Sequence, residues 1–462
     1  MRHIKFALSL LAAAALTACG GGGGAGDQTP KMKFSAQVSF GDSLSDVGTY
    51  AVGTVAALKG GKYNINGATS DVLTGKNWTE LMAAQLGLPA PCPAMTGLDG
   101  DAAKGFSVPV TNNANCFGYA QGGARVTNPV GPGHKMTGSA LGQLTVPVVT
   151  QVANHLAKVG GSFKGDEMVF VMAGGNDALI GLAELSKGAE AAGAAEGARV
   201  GAATFAQSLV TDLAAGATNP QTAAQAIGLA LATENARSGH TDQTVVAAAV
   251  QAAASQPGNQ AVGSPAVYGP MVASAQAKAT AAGKTAGEKA GKDYFTANAP
   301  LKVAAMAQAG AELVALVKNQ IIAKGAKYVA VVNLPDLATT PGGRARGAEV
   351  SALIDTMVKA FNSQLSAGLS GDARIALVDA YTVSHDEFVN KDIYGLTNVM
   401  ETACDLSEAK NPFGSSLICN ASNVKSGDIS HYQFADDVHP TPYGYWLLAR
   451  YVSRDLAMKG WL

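Results

Sequence analysis

The chain has 462 residues and a formal net charge of −1, and 47% of its residues are hydrophobic while 15% are charged. This length can bury one large core or two smaller ones. A charge so close to zero creates no field that would attract nucleic acid or acidic lipid, so we expect no nucleic-acid partner. Beyond the N-terminus, we expect no apolar run long enough to span a bilayer.

The N-terminal residues have the pattern of an export signal and are excluded from the fold. A basic start is followed by an apolar stretch at 6–16, and Leu-Thr-Ala-Cys at 16–19 is similar to a bacterial lipobox. We therefore expect a lipoprotein signal peptide at 1–18, lipidation of Cys19 and a glycine-rich tether at 19–33. The residue after Cys19 is not Asp, and by similarity to such lipoproteins this favours the outer membrane, on its periplasmic or surface face. The alternative is an ordinary secretory peptide that happens to contain a cysteine.

The cysteine count agrees with an exported protein. If Cys19 carries lipid, four of the five cysteines remain, which suggests two disulfides. Three connectivities are possible, and we favour Cys92–Cys116 with Cys404–Cys419 because each pair closes a short polar loop. Buried free thiols are the alternative. No Cys-x-x-Cys or His-rich spacing is present, so we expect no metal site.

Strand-like and helix-like segments alternate along the chain. Short apolar runs predict strands at 37–40, 167–173, 327–333 and 374–379. Apolar residues at helical spacing predict helices at 79–86, 301–323, 348–369 and 443–458. This alternation predicts an α/β sandwich with a parallel sheet, in which the ligand cleft lies beyond the carboxyl ends of the strands.

An alanine-rich segment at about 184–300 interrupts the alternation and predicts a helical insertion. Four prolines are expected to divide it into short helical pieces: Pro220, Pro257, Pro265 and Pro270. The insertion could be a solvated decoration or a lid over the active site. Phe205, Leu209 and Leu213, spaced four apart, could face a core or a bound acyl chain.

A candidate nucleophile follows the first predicted strand. Ser43 lies in Gly-Asp-Ser-Leu at 41–44, a turn that can present its hydroxyl to an open cleft. Serine is a poor nucleophile at neutral pH unless a histidine accepts its proton. Of the seven histidines, only His431 and His439 follow an aspartate by three residues. His431 is expected to be a loop histidine near the cleft.

The Asp436-x-x-His439 pair is the better candidate for the rest of a triad. It precedes Pro-Thr-x-x-Gly, which predicts a tight loop opening the last helix, with Pro440 in the first helical turn. We therefore expect His439 to be the base and Asp436 to orient it. Asp437 is one residue too close to His439 for that role.

Ester cleavage also needs hydrogen-bond donors for the oxyanion. Gly123 can present an unobstructed backbone N–H, Asn176 follows a predicted strand and can present its side-chain amide, and the N–H of Ser43 could be a third donor. Each of these blocks alone could be a plain turn. Their combination with the serine and histidine blocks, in this order, favours the functional interpretation.

With these residues the chain resembles the GDSL-type SGNH hydrolases, a family of serine esterases and lipases. The matching blocks are Gly-Asp-Ser-Leu-Ser at 41–45, Gly-Gly-Ala at 122–124, Gly-Gly-Asn-Asp at 174–177 and Asp-x-x-His-Pro at 436–440. Segments similar to the bacterial lipolytic branch lie at 333–337 and 394–399. The resemblance covers about 35–183 and 301–460 and leaves out the alanine-rich segment.

The resemblance implies a flavodoxin-like three-layer α/β/α sandwich with a parallel sheet, spanning 34–462 and interrupted at about 184–300. It implies that Ser43 is the nucleophile, that Asp436 and His439 complete the triad, and that Ser43, Gly123 and Asn176 form the oxyanion hole. The expected function is a serine esterase or lipase that needs no cofactor.

Three alternatives share this chemistry, namely an acyltransferase, a polysaccharide deacetylase and a hydrolase of polyester oligomers. A non-catalytic surface binding lipoprotein is the alternative from another class.

Overall fold

The computed structural model describes residues 32–67, 73 and 75–462. The predicted signal peptide at 1–18, the predicted lipidation site Cys19 and most of the predicted tether at 19–33 lie outside the described residues. The chain divides into two compact units. Of the described residues, those up to Ala173, Ala311–Gly347 and Gln364–Leu462 form the first unit, and Gly174–Gly310 and Ala348–Ser363 form the second.

The described residues form the following strands: β1 Gln37–Gly41, β2 Met95–Asp99, β3 Ser107–Asn112, β4 Met168–Met172, β5 Tyr328–Val332, β6 Ile375–Val378, β7 Asn398–Thr402 and β8 Tyr432–Phe434. They form the following helices: α1 Gly53–Ala57, α2 Trp78–Gln85, α3 Val148–Lys158, α4 Gly175–Ala214, α5 Pro220–Ala236, α6 Asp242–Ala254, α7 Pro265–Leu316, α8 Pro341–Ala345, α9 Ala348–Leu369, α10 Ala380–Val389 and α11 Pro442–Met458.

The first unit is built on a parallel sheet in the order β1-β4-β5-β6, and these are the four strands that the sequence predicts. An extended segment runs along the free edge of β1, where the N–H of Tyr119 donates to Ser39 O (2.8 Å) and the N–H of Gln121 donates to Gly41 O (3.2 Å). Counted as a strand, this segment gives the flavodoxin-like order 2-1-3-4-5. Its course brings the residues after 121 to the carboxyl end of β1.

Helices cover both faces of this sheet. Phe170 of β4 packs against Trp78 of α2, with ring centroids 5.0 Å apart. In register, Phe170 lies opposite Ser39, so Phe40 points to the other face. There it packs against His155 of α3, with ring centroids 5.6 Å apart. Helix α11 shares the first face with α2. The predicted three-layer α/β/α sandwich is thereby confirmed.

The second unit is helical, but its helices are longer than the sequence predicts. Helix α4 has 40 residues and α7 has 52, and Pro270 and Pro300 lie inside α7. The expectation that prolines divide 184–300 into short pieces is therefore wrong at Pro270. It holds at Pro220 and Pro265, which occupy first helical turns where no N–H partner is needed. The helix predicted at 301–323 is the continuation of α7.

A seam of glycines joins α4 and α7 in antiparallel orientation. A Cβ atom on Gly197 would lie 2.9 Å from Gly283 O, and one on Gly193 would lie 2.8 Å from Gly287 O. The absence of side chains lets the two backbones approach closely. Nearer the end of α4, Leu209 and Leu213 are fully buried in a cluster with α5 and α6, and Phe205 packs against that cluster. These three residues therefore contact the core of the helical unit.

By length and composition alone, one helix of the described residues, Pro265–Ile322, could cross a membrane. This corrects the expectation that no run beyond the N-terminus is long and apolar enough. The alanines of α7 raise its hydropathy, and a core helix of a soluble protein passes the same test, so the finding is weak evidence of a span.

Several elements of the first unit have no counterpart in the predictions. These are helices α1, α3, α8 and α10, the antiparallel pair β2–β3 and the short parallel pair β7–β8. Both predicted cysteine pairs are disulfide-bonded, Cys92 to Cys116 and Cys404 to Cys419.

Candidate active site

The candidate nucleophile occupies a tight turn at the carboxyl end of β1. Ser43 begins a 3₁₀ turn that Asp42 caps, because the Asp42 side chain accepts the N–H of Leu44 at 3.1 Å. Gly41 permits the close approach of β1 and β4, since a Cβ there would lie 2.1 Å from Met172 O. The turn therefore follows from a capping aspartate and from a glycine that no larger residue can replace.

A glutamine of α3 forms hydrogen bonds to the backbone at the start of this turn. Gln151 is buried, accepts the N–H of Gly41 at 2.8 Å and donates to the carbonyl oxygen of the same residue at 2.8 Å. Its Nε2 also donates to Val146 O at 2.8 Å. Both backbone groups at the start of the serine turn are thus fixed by one side chain. A single sequence gives no signal that would identify Gln151.

His439 lies within hydrogen-bond distance of the serine. Its Nε2 is 2.8 Å from Ser43 Oγ, and its Nδ1 is 2.8 Å from both carboxylate oxygens of Asp436. A carboxylate can only accept, so Nδ1 carries the proton and Nε2 is free to accept the proton of the serine. The structure therefore joins Ser43, His439 and Asp436 in one hydrogen-bonded chain.

The loop that carries the histidine folds back on itself between β8 and α11. The N–H of Ala435 donates to His439 O at 2.8 Å, and the N–H of Thr441 donates to Gln433 O at 2.9 Å. Thr441 caps α11, and Pro442 is in the first helical turn. The prediction that Pro440 occupies that turn is wrong by two residues, because the chain must first close the hairpin around His439.

Asp436 is held as a carboxylate by several donors. One oxygen accepts the N–H of Val438 (3.0 Å) and of His439 (2.8 Å), and the other accepts the N–H of Ser416 (2.6 Å). Burial by itself would raise the pKa of Asp436. The charge of His439 and the hydrogen bonds from His439 and Ser416 outweigh that effect and hold this pKa below its ordinary value. Asp436 is therefore charged across the neutral range.

The two adjacent glycines of the second block differ in their bonding. The N–H of Gly122 donates to the buried carboxyl of Asp46 at 2.9 Å. The N–H of Gly123 makes no hydrogen bond within the described part of the chain. Gly123 has φ +79°, and a Cβ there would lie 2.2 Å from Pro132 O. Of the two, only Gly123 has an N–H available for a ligand.

Asp46 and Tyr63 belong to this site and were missed by the sequence argument. Asp46 also accepts the N–H groups of Gly48 and Thr49 at 2.9 and 2.8 Å, so it fixes the second glycine block to the serine turn. Burial nevertheless raises the pKa of Asp46 to about 6. The ring of Tyr63 packs against the imidazole of His439, with centroids 4.7 Å apart. The only signal for Asp46 is its position three residues after Ser43.

The remaining candidates lie elsewhere. Asn176 is buried in the first turn of α4 and belongs to the second unit, so its predicted role as an oxyanion donor stays a prediction. His431 contacts the Ser430 hydroxyl (2.9 Å) and packs on Tyr443, in keeping with a loop histidine. The side chain of Asp437 is exposed. No group of three or more His, Cys, Asp and Glu side chains suited to a metal ion occurs among the described residues.

This arrangement agrees with a comparison to known families. The model of the family "GDSL-like Lipase/Acylhydrolase" matches residues 38–279 and 289–452, so the chain belongs to this family. The protein is thus a hydrolase of ester-type substrates with the SGNH fold. The match runs through most of the alanine-rich segment, whereas the motifs that carry the resemblance in the sequence lie at 35–183 and 301–460. No curated protein matches the chain significantly.

Proposed function

We propose that the protein is a serine esterase or lipase in which Ser43, His439 and Asp436 form the catalytic triad. The observation that carries this proposal is the hydrogen-bonded chain from Ser43 Oγ through the imidazole to the buried Asp436 carboxylate. A serine becomes a competent nucleophile when a base accepts its proton within such a distance. Acyl transfer through a covalent serine ester is the reaction that this arrangement supports.

In the first step Ser43 Oγ attacks the ester carbonyl while its proton passes to His439 Nε2. The oxyanion accepts hydrogen bonds from the N–H groups of Ser43 and Gly123, and the charge of Asp436 stabilises the imidazolium. His439 then gives its proton to the leaving alcohol, which departs as the acyl-enzyme forms. Water, deprotonated by His439, attacks the acyl-enzyme and releases the acid and the free serine.

The experiment combines covalent labelling with turnover. The protein from residue 27 onward should react with a fluorophosphonate probe and hydrolyse p-nitrophenyl esters, and Ser43→Ala should lose both while keeping the circular dichroism spectrum of the folded protein. An unlabelled wild-type protein without activity on any ester would favour the non-catalytic binding role instead. Activity that persists in Ser43→Ala would exclude Ser43 as the nucleophile.

The same assay can measure which acyl length the protein prefers and whether water or an alcohol accepts the acyl group. Esters from acetyl to palmitoyl distinguish a short-chain esterase from a lipase. Mass spectrometry of the products with an added alcohol distinguishes hydrolysis from acyl transfer to that alcohol.

For location, we propose an exported lipoprotein anchored to the outer membrane through Cys19, which rests on the lipobox pattern of the sequence alone. A wild-type protein that lacks an acyl group on Cys19 by mass spectrometry, or that is found in the soluble fraction, would contradict this anchor.

A further inference from the structure

A pocket of the first unit opens beside the proposed triad. Its wall includes Leu44, which directly follows Ser43, and Val438 and Pro440, which flank His439. The rest of the wall is largely apolar and includes Met172, Ala380, Val383 and Leu448. Neither Ser43 nor His439 is itself part of the wall, so the link between the pocket and the proposed triad is made by the residues next to them in the chain.

The pocket is small. Its volume is about 60 Å³, well below the roughly 300–1,000 Å³ of pockets that hold drug-sized ligands. A pocket of this size suits a short acyl chain and excludes a long fatty acyl chain.

The wall also contains a buried polar pair. Gln433 of β8 and Glu387 of α10 are 5% and 6% exposed, and Gln433 Nε2 donates to a Glu387 carboxyl oxygen at 2.7 Å. Gln433 Oε1 is buried and accepts no hydrogen bond from the described residues. If the amide oxygen and nitrogen were exchanged, the nitrogen would be the atom without a partner. In either orientation one polar atom of Gln433 is unsatisfied beside an apolar pocket.

The chemistry of the pair selects a neutral partner. Burial raises the pKa of Glu387 to about 8, so the carboxyl is mostly uncharged at neutral pH. A charged acyl substituent would be desolvated here, and the other buried acid of the wall, Asp336, already contacts His385 at 2.7 Å, so burying such a substituent is costly. A hydroxyl group is neutral and both donates and accepts, so it satisfies Gln433 in either amide orientation.

We propose that this pocket binds the acyl part of the ester and that Gln433 selects short acyl groups that carry a hydroxyl. This inference rests on the proposed function, because it assigns the acyl site of the same serine nucleophile. A buried polar group that a substrate hydroxyl satisfies discriminates against the analogue without that hydroxyl, because the analogue leaves the group unpaired.

The test compares ethyl acetate, ethyl butyrate and both enantiomers of ethyl 3-hydroxybutyrate, with the released acid titrated at constant pH. In the wild type we expect kcat/KM for one hydroxybutyrate enantiomer to exceed that for butyrate by about 10-fold or more. Gln433→Met keeps the length of the side chain and removes its hydrogen bonds, and it should reduce this ratio to about one. An unchanged ratio in Gln433→Met, or no preference in the wild type, would overturn the role of Gln433.

A second variant tests the pocket independently of the polar pair. Val383→Phe fills the pocket and should lower kcat/KM for butyrate relative to acetate by about 10-fold or more, since an acetyl group needs little of this space. An unchanged butyrate-to-acetate ratio would overturn the assignment of the pocket. Failure of the proposed function is distinguishable, because in that case the wild type would hydrolyse none of the esters in a Ser43-dependent manner.

Discussion

Replacing Asp436 by Asn tests the proposed triad most directly. The carboxylate lies 2.8 Å from His439 Nδ1, and the imidazole becomes an imidazolium when it accepts the serine proton. Two unit charges about 4 Å apart attract by about 4 kcal/mol at an effective dielectric constant of about 20. Because about 1.4 kcal/mol corresponds to a factor of ten in rate, loss of the charge should lower kcat by about 10³-fold.

The hydrogen bonds of Asp436 add to this loss. In Asp436→Asn, either orientation of the new amide points its NH₂ group at a backbone donor, at Ser416 N–H on one side or at Val438 and His439 N–H on the other. Because the NH₂ group and the backbone N–H are both donors, they repel and displace the asparagine side chain. His439 Nδ1 then loses the acceptor that orients the imidazole. The loss should therefore appear in kcat rather than in KM alone.

Asp437→Asn is the matched control, because Asp437 is the adjacent acid and its side chain is exposed. Initial rates of p-nitrophenyl butyrate hydrolysis, with the folded state checked by thermal unfolding, measure both variants. We expect Asp437→Asn to stay within about threefold of the wild type, because Asp437 is exposed and, unlike Asp436, acts on His439 only through its charge and not through a hydrogen bond. A loss of less than tenfold in Asp436→Asn, or equal losses in the two variants, would refute the orienting role of Asp436.

In the second unit, Gly197→Ala should lower the melting temperature, because its Cβ would lie 2.9 Å from a backbone oxygen of α7. Gly228→Ala, whose Cβ meets nothing within 4 Å, should raise it through helix propensity. Equal shifts would contradict the close packing of the seam. Replacing Cys404 and Cys419 by Ser should cost about 3 kcal/mol of the free energy of unfolding. It should also lower kcat, because the N–H of Ser416, three residues before Cys419, donates to the carboxylate of Asp436. An unchanged kcat would argue against this coupling between the disulfide and the proposed triad. Asp46 keeps its proton in the folded state up to about pH 6, above the value of 3.8 for the unfolded chain. Its contribution to the free energy of unfolding should therefore fall by about 3 kcal/mol as pH rises from about 4 to 6. Urea unfolding across this range should show a flatter pH dependence for Asp46→Asn, and a slope equal to that of the wild type would refute this assignment.

The central sheet could be predicted because its signal is local. Strands such as β4 and β5 are buried on both faces and form continuous apolar runs, and each is bounded by turn residues. Helix α9 was predicted with its observed bounds for the same reason, since its apolar spacing stays regular throughout. The short pair β7–β8 was missed, because a few half-buried residues carry too little periodicity to distinguish a strand from a loop.

The helix break predicted at Pro270 in the alanine-rich segment was wrong. Pro270 predicts a break by the rule that proline removes a helical hydrogen bond, yet it lies inside α7. Packing of α7 on α4 along the glycine seam offsets that loss, and the spacing of those glycines becomes informative only when the two helices are known to be neighbours.

The residue types of the proposed site, and their order along the chain, could be predicted from short segments of the sequence. Ser43, Asp436 and His439 could be predicted because the candidate nucleophile has a local turn signature and because an aspartate three residues before a histidine can reach it on one loop. Both are properties of short segments, in which covalent geometry limits the available conformations.

The groups that support these residues become visible only in the folded chain. Gln151 holds the serine turn, Asp46 occupies the N–H of Gly122 and leaves that of Gly123 available, and Gln433 meets Glu387 at the pocket. Each of these contacts joins segments 46 to 110 residues apart. Such contacts depend on how helices and strands pack, and no local pattern of residues specifies them.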